Sequence, residues 1–447
     1  MRRIWLCGLL CLTGLARAAT PLSLAQAVQT ALGENPVIAG ADAEVEATRA
    51  TLAQVRGAGR LQAALDAGYT VLQDPMNLDT PPITLNLGPL GSKTVTIPAI
   101  PLAKSSMWRA TLSAQALLYS GDRIPAGMAQ AQAGVEALQA RAQSVRREVA
   151  YGVVQAYLSA VLAARVAAVA DEAYATVTAH AAEAERLLQA GMIPGYEVTR
   201  AKTEVANQDR RRLDAHTQAE LALATLAELL GRGDADFTLT TPLDGTHPDA
   251  EPPPLPVAWQ ASTDRQALEA KDRVYRAAVR EAWASLHPYI AVIATTELYR
   301  DDLPLTTPDG YLALVAHLPL TDGGVARAKA AEQQALRAEN RDALRQTRDV
   351  MQLHLRQDTL ALTNARKALE TADQGVALAQ ESLRLATRRF AVGAGTGVEQ
   401  MDALLALSVA NTQVAQARYA YDLAYYGMKK EQGTLLAVLT AEGAHHE

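Results

Sequence analysis

Residues 388–404 read RRFAVGAGTGVEQMDAL, and this stretch decides the fold because the chain contains it twice in related form. Residues 390–400, FAVGAGTGVEQ, match residues 188–198, LQAGMIPGYEV, at an offset of 202 residues. A second match, ALLYSG at 116–121 with LPLTDG at 318–323, has the same offset. The spacing between the two landmarks is therefore identical in both halves, which indicates an internal duplication.

A heptad pattern fills the segment between the landmarks. In the second half an apolar residue recurs every seven positions from Leu355 to Phe390, and the equivalent positions from Val153 to Leu188 are also apolar. A seven-residue repeat of this length needs a partner helix in a left-handed superhelix. The pattern predicts long helices over residues 122–190 and 324–391, each about 100 Å long at ~1.5 Å per residue.

The period changes from seven residues to two just before each long helix. Side chains alternate over residues 107–119 and 310–320, and a partner strand precedes each run, at 63–73 and 288–299. About 9–11 residues of alternation suit a tilted strand that crosses a membrane. The loop between the first two strands is rich in Pro, Gly and Asn, which suits an exposed loop.

Each half therefore reads helix, strand, strand, long helix, glycine turn and helix. We expect structural repeats over residues 19–231 and 263–434, with helical hairpins at 188–201 and 390–403. Ser23 is the expected N-cap of the first helix, and Asn35-Pro36 is an expected break. The proline-rich residues 232–262 indicate a linker, and residues 435–447 a C-terminal tail.

The first 18 residues have the order of a secretory signal peptide: two arginines, an apolar run from Ile4 to Leu15, and a small-x-small end. Both cysteines lie within it, so the mature chain is expected to be stable without disulfides. The net charge is −6, and −9 without the three arginines of the leader, which argues against a nucleic-acid partner. The most apolar mature segment, residues 153–170, contains Arg165, and a central Arg disfavours insertion by roughly 2.5–3.5 kcal/mol.

The predicted strands require more than one chain. Four strands cannot close a barrel alone, and an open sheet edge is not stable in lipid. The strands and the heptad stripes therefore both predict an oligomer.

The signal peptide, the duplicated plan, the strand-to-helix junctions and both glycine hairpins resemble the TolC-type outer-membrane efflux protein family, over essentially the whole mature chain. The resemblance implies a mainly α fold with a membrane β-barrel. It implies a homotrimer that forms a 12-stranded barrel in outer-membrane lipid and a long periplasmic α-helical barrel. It also implies a passive exit duct that receives cargo from an inner-membrane transporter through a periplasmic adaptor protein, in efflux or type I secretion, with no cofactor and no catalysis.

The resemblance also assigns roles to particular residues. Glu399 and Asp402 occupy the positions of the acidic residues that line the periplasmic aperture. The hairpin tips, where adaptors dock, map onto the remaining hairpin residues: Gly191, Gly195, Glu197, Arg200, Gly393, Gly395 and Gly397. Trp108 is expected to anchor a strand at the membrane interface.

The sequence departs from the family at one hairpin position. Some members carry a basic residue two positions after the first glycine of the second hairpin, and that residue helps to bond the closed state. Gly395 stands there in this chain. Glu197 therefore lacks its usual basic partner, and whether nearby Arg200 replaces it stays open.

Several other interpretations compete with these roles. Glu399 and Asp402 are also what the helix dipole favours in a first turn. The Gly-x-Gly-x-Gly run is not a phosphate loop, because no strand precedes it and no Lys-Ser/Thr follows. Its twin, Gly191 and Gly195, favours a helical hairpin with glycines at positive φ. His445 and His446 suggest a solvated tail rather than a metal site.

The sequence shows no catalytic or metal motif, such as HExxH or GxSxG, so we do not expect an enzyme. The alternative function is a non-conducting periplasmic coiled-coil spacer or tether, which the long helices alone would permit. The cargo is not readable from the sequence.

Overall fold

The computed structural model describes residues 20–73, 77–101, 105–233, 236–247, 254–300 and 309–445. The expected signal peptide and His446 lie outside these ranges. The chain divides into two compact units. The first contains the residues up to Glu44, Leu138–Ala267 and the residues from Leu344 onwards, and the second contains Val45–Ala137 and Leu268–Ala343.

The described chain is mainly helical. Its helices are α1 (Leu24–Glu34), α2 (Pro36–Ala58), α3 (Arg123–Gln189), α4 (Gly195–Leu229), α5 (Leu255–Ala261), α6 (Thr263–Ala284), α7 (Val325–Ala391), α8 (Gly397–Glu431) and α9 (Leu435–His445). Ser23 caps α1 through a capping box with Gln26, and Asn35 ends α1 before Pro36 begins α2. The expected N-cap and break are therefore both confirmed.

The duplication extends to the helix boundaries. Helices α3 and α7 have 67 residues each, and α4 and α8 have 35 residues each. The starts and ends of both pairs are separated by the same 202 residues as the sequence landmarks. The two halves thus build the same pair of antiparallel helices joined by a short glycine turn.

The heptad positions of α7 face the protein. Leu355 and Leu362 are buried, and the later heptad positions as far as Phe390 are at least partly buried. By contrast Leu360 and Leu378, which are off the heptad, are 56% and 73% exposed. The seven-residue period therefore marks the packed stripe of the helix, as the sequence predicts.

The second unit contains a four-stranded antiparallel sheet in the order β10-β9-β7-β2. The strands of the described ranges are β1 (Thr20–Leu22), β2 (Gln62–Val71), β3 (Asn77–Leu78), β4 (Ile83–Asn86), β5 (Ser92–Val95), β6 (Ile100–Pro101), β7 (Ser106–Tyr119), β8 (Phe237–Leu239), β9 (Tyr289–Arg300) and β10 (Gly310–His317). Strands β2 and β10 form the two edges of this sheet.

Two expectations about the strands need correction. Strand β10 ends at His317 rather than at residue 320, and Pro319, which has no N–H for a ladder bond, follows shortly after. The loop after β2 contains two short strand pairs, β3 with β6 and β4 with β5, rather than only irregular backbone.

One face of the sheet is apolar and the other is polar. Leu65, Leu312 and Leu314 are 63%, 75% and 70% exposed. On the opposite face the Gln115 amide donates to the Gln62 amide oxygen at 2.9 Å. This alternation, with large apolar side chains facing outward, is the pattern of a strand whose outer face meets lipid.

The core of the first unit is built partly from the expected linker. Strand β8 pairs in parallel with β1, and Phe237 is buried. The Tyr157 hydroxyl donates to the Leu22 carbonyl and accepts from the Thr241 N–H, both at 2.9 Å. Residues 232–262 also contain α5, so the interpretation of this segment as a plain linker is wrong for its described part.

The C-terminal residues are likewise structured. Helix α9 packs against α1, and Leu435 and Leu439 are buried, so residues 435–445 are a core helix rather than a solvated tail. One helix in the described part, α3, is long and apolar enough to cross a membrane by composition alone. Its Val153 and Val154 are completely buried in the core of the first unit, which accounts for that composition.

Candidate functional site

Both helical hairpins turn through the same hydrogen-bonding motif. In each, the N–H of the first glycine donates to the carbonyl three residues earlier, at 2.9 Å for Gly191 and 3.0 Å for Gly393. The next N–H donates to the carbonyl five residues earlier, at 2.8 and 2.9 Å. This is a Schellman motif, and its glycine takes φ of +67° and +74° in the two hairpins.

The later glycines of the hairpins serve a different purpose. Gly195 and Gly397 are the first residues of α4 and α8, and neither lies in the left-handed region. The expectation that Gly195 needs positive φ is therefore wrong. Only the first glycine of each turn has a conformation that side chains disfavour, by about 1–2 kcal/mol.

Gly395 is confined by its neighbours. A Cβ at this position would lie 3.0 Å from the Arg389 Cβ and 3.2 Å from the Phe390 nitrogen. Both distances are shorter than nearly all real Cβ contacts, so any side chain here would force the turn to shift. This is a steric reason for the glycine at the position where some relatives carry a basic residue.

A basic group reaches the turn from the preceding helix instead. The Arg389 guanidinium lies 3.3 Å from the Glu399 carboxylate and donates to the Ala394 carbonyl at 3.1 Å. It therefore ties the end of α7 to both the turn and the first helical turn of α8. Glu399 is further fixed because its N–H donates to the Thr396 hydroxyl, the N-cap of α8, at 3.2 Å.

The acidic residues of the second hairpin lie on one face of α8. Glu399 is in the first turn and Asp402 follows three residues later, which places the two side chains side by side. Both residues are accessible: the Glu399 side chain is 45% exposed and Asp402 is exposed. The pair can therefore present two carboxylates to a solvent-filled space or to cations.

The two hairpins meet at a small cleft of about 80 Å³. From the first hairpin, Glu197, Arg200 and His180 line it, and from the second, Gly397 and Asp402. The structure thus brings Glu197, Arg200 and Asp402 together, while Glu399 is held on the Arg389 side of the turn. Gly191 and Gly393 lie in the turns themselves, where they are exposed.

His180 forms the apolar contact between the hairpins. Its ring centroid lies 5.9 Å from that of Phe390, and a Cβ on Gly397 would lie 3.5 Å from its Nε2. Burial lowers the pKa of the His180 imidazole, and the carboxylates of Glu183 and Glu197 oppose that shift. The neutral imidazole is thus the form that this contact favours.

Sequence reasoning missed both Arg389 and His180. Arg389 had a weak signal, because basic residues in the last turn of a helix complement its dipole and Arg388-Arg389 stand there together. His180 had none, since its heptad-flanking position does not reveal that the other hairpin lies opposite.

Trp108 lies at the end of the strand pair that is farther from α3. It is 54% exposed, and its ring centroid lies 4.8 Å from that of Tyr69, its register partner on β2. On the sheet's other face, Glu297 lies 2.8 Å from the Arg300 guanidinium and 3.8 Å from that of Arg109. In the described residues, no group of three or more His, Cys, Asp or Glu side chains could hold a metal ion.

The chain matches the family model described as outer membrane efflux protein over residues 27–232 and 256–431. A search of curated proteins by sequence gave no match.

Solved structures with the same fold cover nearly the whole chain. A membrane protein from Pseudomonas aeruginosa is 19% identical, covers 92% of both chains and has a TM-score of 0.75. The CmeC outer membrane channel of Campylobacter jejuni is 14% identical over 94% of this chain and 88% of its own, also with a TM-score of 0.75. The open state of the Neisseria gonorrhoeae MtrE outer membrane channel is 17% identical over 92% and 89%, with a TM-score of 0.74.

The family model spans most of the chain, and the fold agrees with it, so the resemblance in the sequence is confirmed. The chain therefore belongs to the outer membrane efflux protein family and is an outer-membrane efflux channel with a long helical periplasmic extension.

Proposed function

We propose that three copies of this chain form a passive exit duct. Their twelve strands close one barrel in the outer membrane, and their long helices continue it as a tunnel in the periplasm. An inner-membrane transporter delivers the cargo through a periplasmic adaptor that docks on the hairpin tips. The carboxylates of Glu399 and Asp402 line the periplasmic aperture.

The observation that carries this proposal is the open sheet. Strands β2 and β10 leave two edges, and the outer face exposes large apolar side chains such as Leu65 and Leu312. In lipid each unpaired backbone group costs several kcal/mol, so such a sheet is stable only when other copies pair with its edges. Because each copy contributes four strands, three copies supply the 12-stranded barrel of the family.

Aromatic side chains at both ends of β7 support a membrane location. Trp108 and Tyr119 are both about half exposed and are 11 residues apart. That separation is about 36 Å along a strand at ~3.3 Å per residue. A tilt of roughly 40° reduces it to about 28 Å, close to the ~25 Å apolar band of a membrane barrel.

Exposed apolar groups at the tips support docking of a partner protein. Met192, Tyr196 and Val392 are 71%, 65% and 78% exposed. Side chains of this kind in a turn between two helices favour a contact with another protein. Under this proposal the adaptor covers them.

Membrane fractionation tests the assembly directly. We expect the protein in the outer-membrane fraction as a complex that runs as a trimer on a gel until it is heated. Recovery as a soluble monomer would refute the duct. Trimers that conduct no ions would instead support the spacer or tether.

A further inference from the structure

The segment between β2 and β7 contains an ordered hairpin, which we call the outer hairpin, residues 83–95. Strands β4 and β5 pair in antiparallel register, with Ile83 opposite Val95 and Leu85 opposite Lys93. The turn is closed by the Leu87 N–H, which donates to the Gly91 carbonyl at 2.9 Å. Gly88 and Gly91 there take φ of +61° and +90°, so the sequence is suited to this turn.

The outer hairpin has one apolar face and one polar face. Since side chains alternate along a strand, Ile83, Leu85 and Val95 share a face. The other face carries Thr84 and Thr94, whose hydroxyl oxygens are 3.5 Å apart, together with Asn86 and Ser92.

The apolar face is uncovered within a single chain. Ile83, Leu85 and Val95 are 52%, 51% and 40% exposed, and Leu87 in the turn is 51% exposed. A two-stranded hairpin alone is at best marginally stable in water, because it has no second layer to cover its apolar side chains. Something outside the chain must therefore cover this face.

Membrane lipid does not fit as the cover. This step rests on the proposed function, in which the stacked Tyr69 and Trp108 mark the outer membrane interface. Strand β2 ends two residues after Tyr69, and Ile83 comes twelve residues after the last residue of that strand, Val71. The outer hairpin therefore lies beyond the lipid, on the external side.

A polyanionic surface such as lipopolysaccharide does not fit either. Among residues 77–101 the charged side chains are Asp79 and Lys93, so the net charge is zero. Binding to phosphate-rich headgroups needs clustered Lys and Arg. The remaining cover of matching chemistry is a second apolar surface of the same kind.

The same hairpin in the other copies is within reach. A 12-stranded barrel has a radius of about 12 Å, from strands ~4.8 Å apart and tilted by roughly 40°. The twelve residues between Val71 and Ile83 can span up to about 40 Å when extended. Each outer hairpin is therefore long enough to reach the axis of the barrel.

We propose that the three outer hairpins of the trimer pack apolar face against apolar face on the threefold axis and cover the external mouth of the barrel. The cover excludes large external solutes and is displaced by cargo that leaves. Its contact is small, a few half-exposed side chains per copy, so it opens without the trimer coming apart.

Disulfide trapping distinguishes this arrangement from the alternatives. Both native cysteines lie in the leader, so a single cysteine in the mature chain reports on itself. We expect Leu85→Cys, treated with a mild oxidant in intact cells, to give disulfide-linked dimers, since two of three axial thiols can pair. Thr84→Cys, one residue away on the polar face, is the matched control and should give several-fold less dimer.

External access to the lumen provides a second readout. A bulky maleimide added to cells should label Gln115→Cys, on the polar inner face of β7, several-fold faster when Leu85→Asp is also present. Thr84→Asp should leave the labelling rate unchanged. Access from outside does not depend on whether the periplasmic aperture is open.

Each outcome decides a different claim. Conducting trimers in which Leu85→Cys and Thr84→Cys cross-link equally, or not at all, would overturn the cover and leave the duct intact. Equal labelling of Gln115→Cys in both aspartate variants would do the same. Absence of trimers would overturn the cover together with the proposed function.

Discussion

The guanidinium of Arg389 lies 3.3 Å from the carboxylate of Glu399, across the turn that joins α7 to α8. The same guanidinium donates to the Ala394 carbonyl within the turn. A side chain on Gly395 would collide with Arg389, so the two positions are sterically linked. The chain thus supplies positive charge to the second hairpin from the helix that enters it rather than from the turn.

Removing this charge should loosen the tip. An exposed ion pair contributes roughly 0.2–1 kcal/mol, so Arg389→Gln should shift the aperture modestly toward its open form in each of the three chains. We expect a higher mean single-channel conductance in planar bilayers. Arg388→Gln removes an equal charge from the adjacent position and should have little effect. Identical conductance of the two variants would show that the Arg389 contact does not hold the tip.

The aperture carboxylates should control block by multivalent cations. Six carboxylates around an axis attract such ions strongly, so Glu399→Gln with Asp402→Asn should weaken block by a trivalent cation. Glu370→Gln with Asp373→Asn is the control, because these are exposed carboxylates at the same spacing on α7. The measurement is the half-blocking concentration, and an unchanged value in the tip variant would refute the aperture assignment.

The periodic elements could be predicted from sequence because their signals are local. The heptads from Leu355 to Phe390 mark a packed stripe, and the fixed offset predicts where both helical hairpins turn. The outward face of the strands follows in the same way from alternation, since a period of two needs no knowledge of the partner strand.

The segment around residues 232–262 could not be predicted because its structure depends on distant partners. The buried Asp422 of α8 accepts from the backbone N–H groups of Asp244 and Gly245, at 3.1 and 3.0 Å, and from His247 at 3.1 Å. The sequence shows only a proline-rich stretch and, far away, one aspartate within a helix. A contact across about 175 positions has no local signature, which also explains why His180 was missed.

The first glycine of each hairpin should be sensitive to substitution, and the later one should not. Gly191→Ala places a side chain at φ +67°, which costs about 1–2 kcal/mol. Gly195→Ala, at a helical position with no neighbouring atom within 4 Å, should be neutral or stabilise by about 0.5 kcal/mol. Thermal unfolding of the two purified variants compares them, and equal losses would contradict the assigned turn geometry.

Stability should depend on pH through Asp358. Burial raises the pKa of this carboxyl to about 6, with a further contribution from Glu431, while His354 and Lys430 oppose the shift. Because the folded pKa exceeds the unfolded one, the ionised carboxylate destabilises the fold above pH 6, and stability rises as the pH falls from about 6 toward 4. The nearby Tyr151 hydroxyl, on α3, has a raised pKa for related reasons.

Asp358→Asn should therefore stabilise the protein at pH 8 by about 1 kcal/mol, a figure reduced for solvent screening of a half-buried group. The gain should disappear near pH 4. Asp373→Asn, which removes an exposed carboxylate from the same helix, is the control. Thermal unfolding at both pH values is the measurement, and a gain that does not change with pH would contradict the assignment.

The aromatic pair on β2 and β7 should stabilise the trimer in the membrane. Trp108→Ala removes the stacking on Tyr69 and the interface anchor, so we expect the trimer to dissociate at a lower temperature on a gel. Trp108→Phe keeps an aromatic ring and should recover part of the loss. No change with alanine would show that Trp108 is not an anchor.

The central claim is that the trimer conducts, and ion conductance of purified, heat-modifiable trimers in planar bilayers tests it most directly. We predict discrete single-channel openings, with a reversal potential in a salt gradient that shows selectivity for cations. Intact trimers that insert into the bilayer and give no conductance under any voltage or pH would contradict the duct and leave the spacer as the better account.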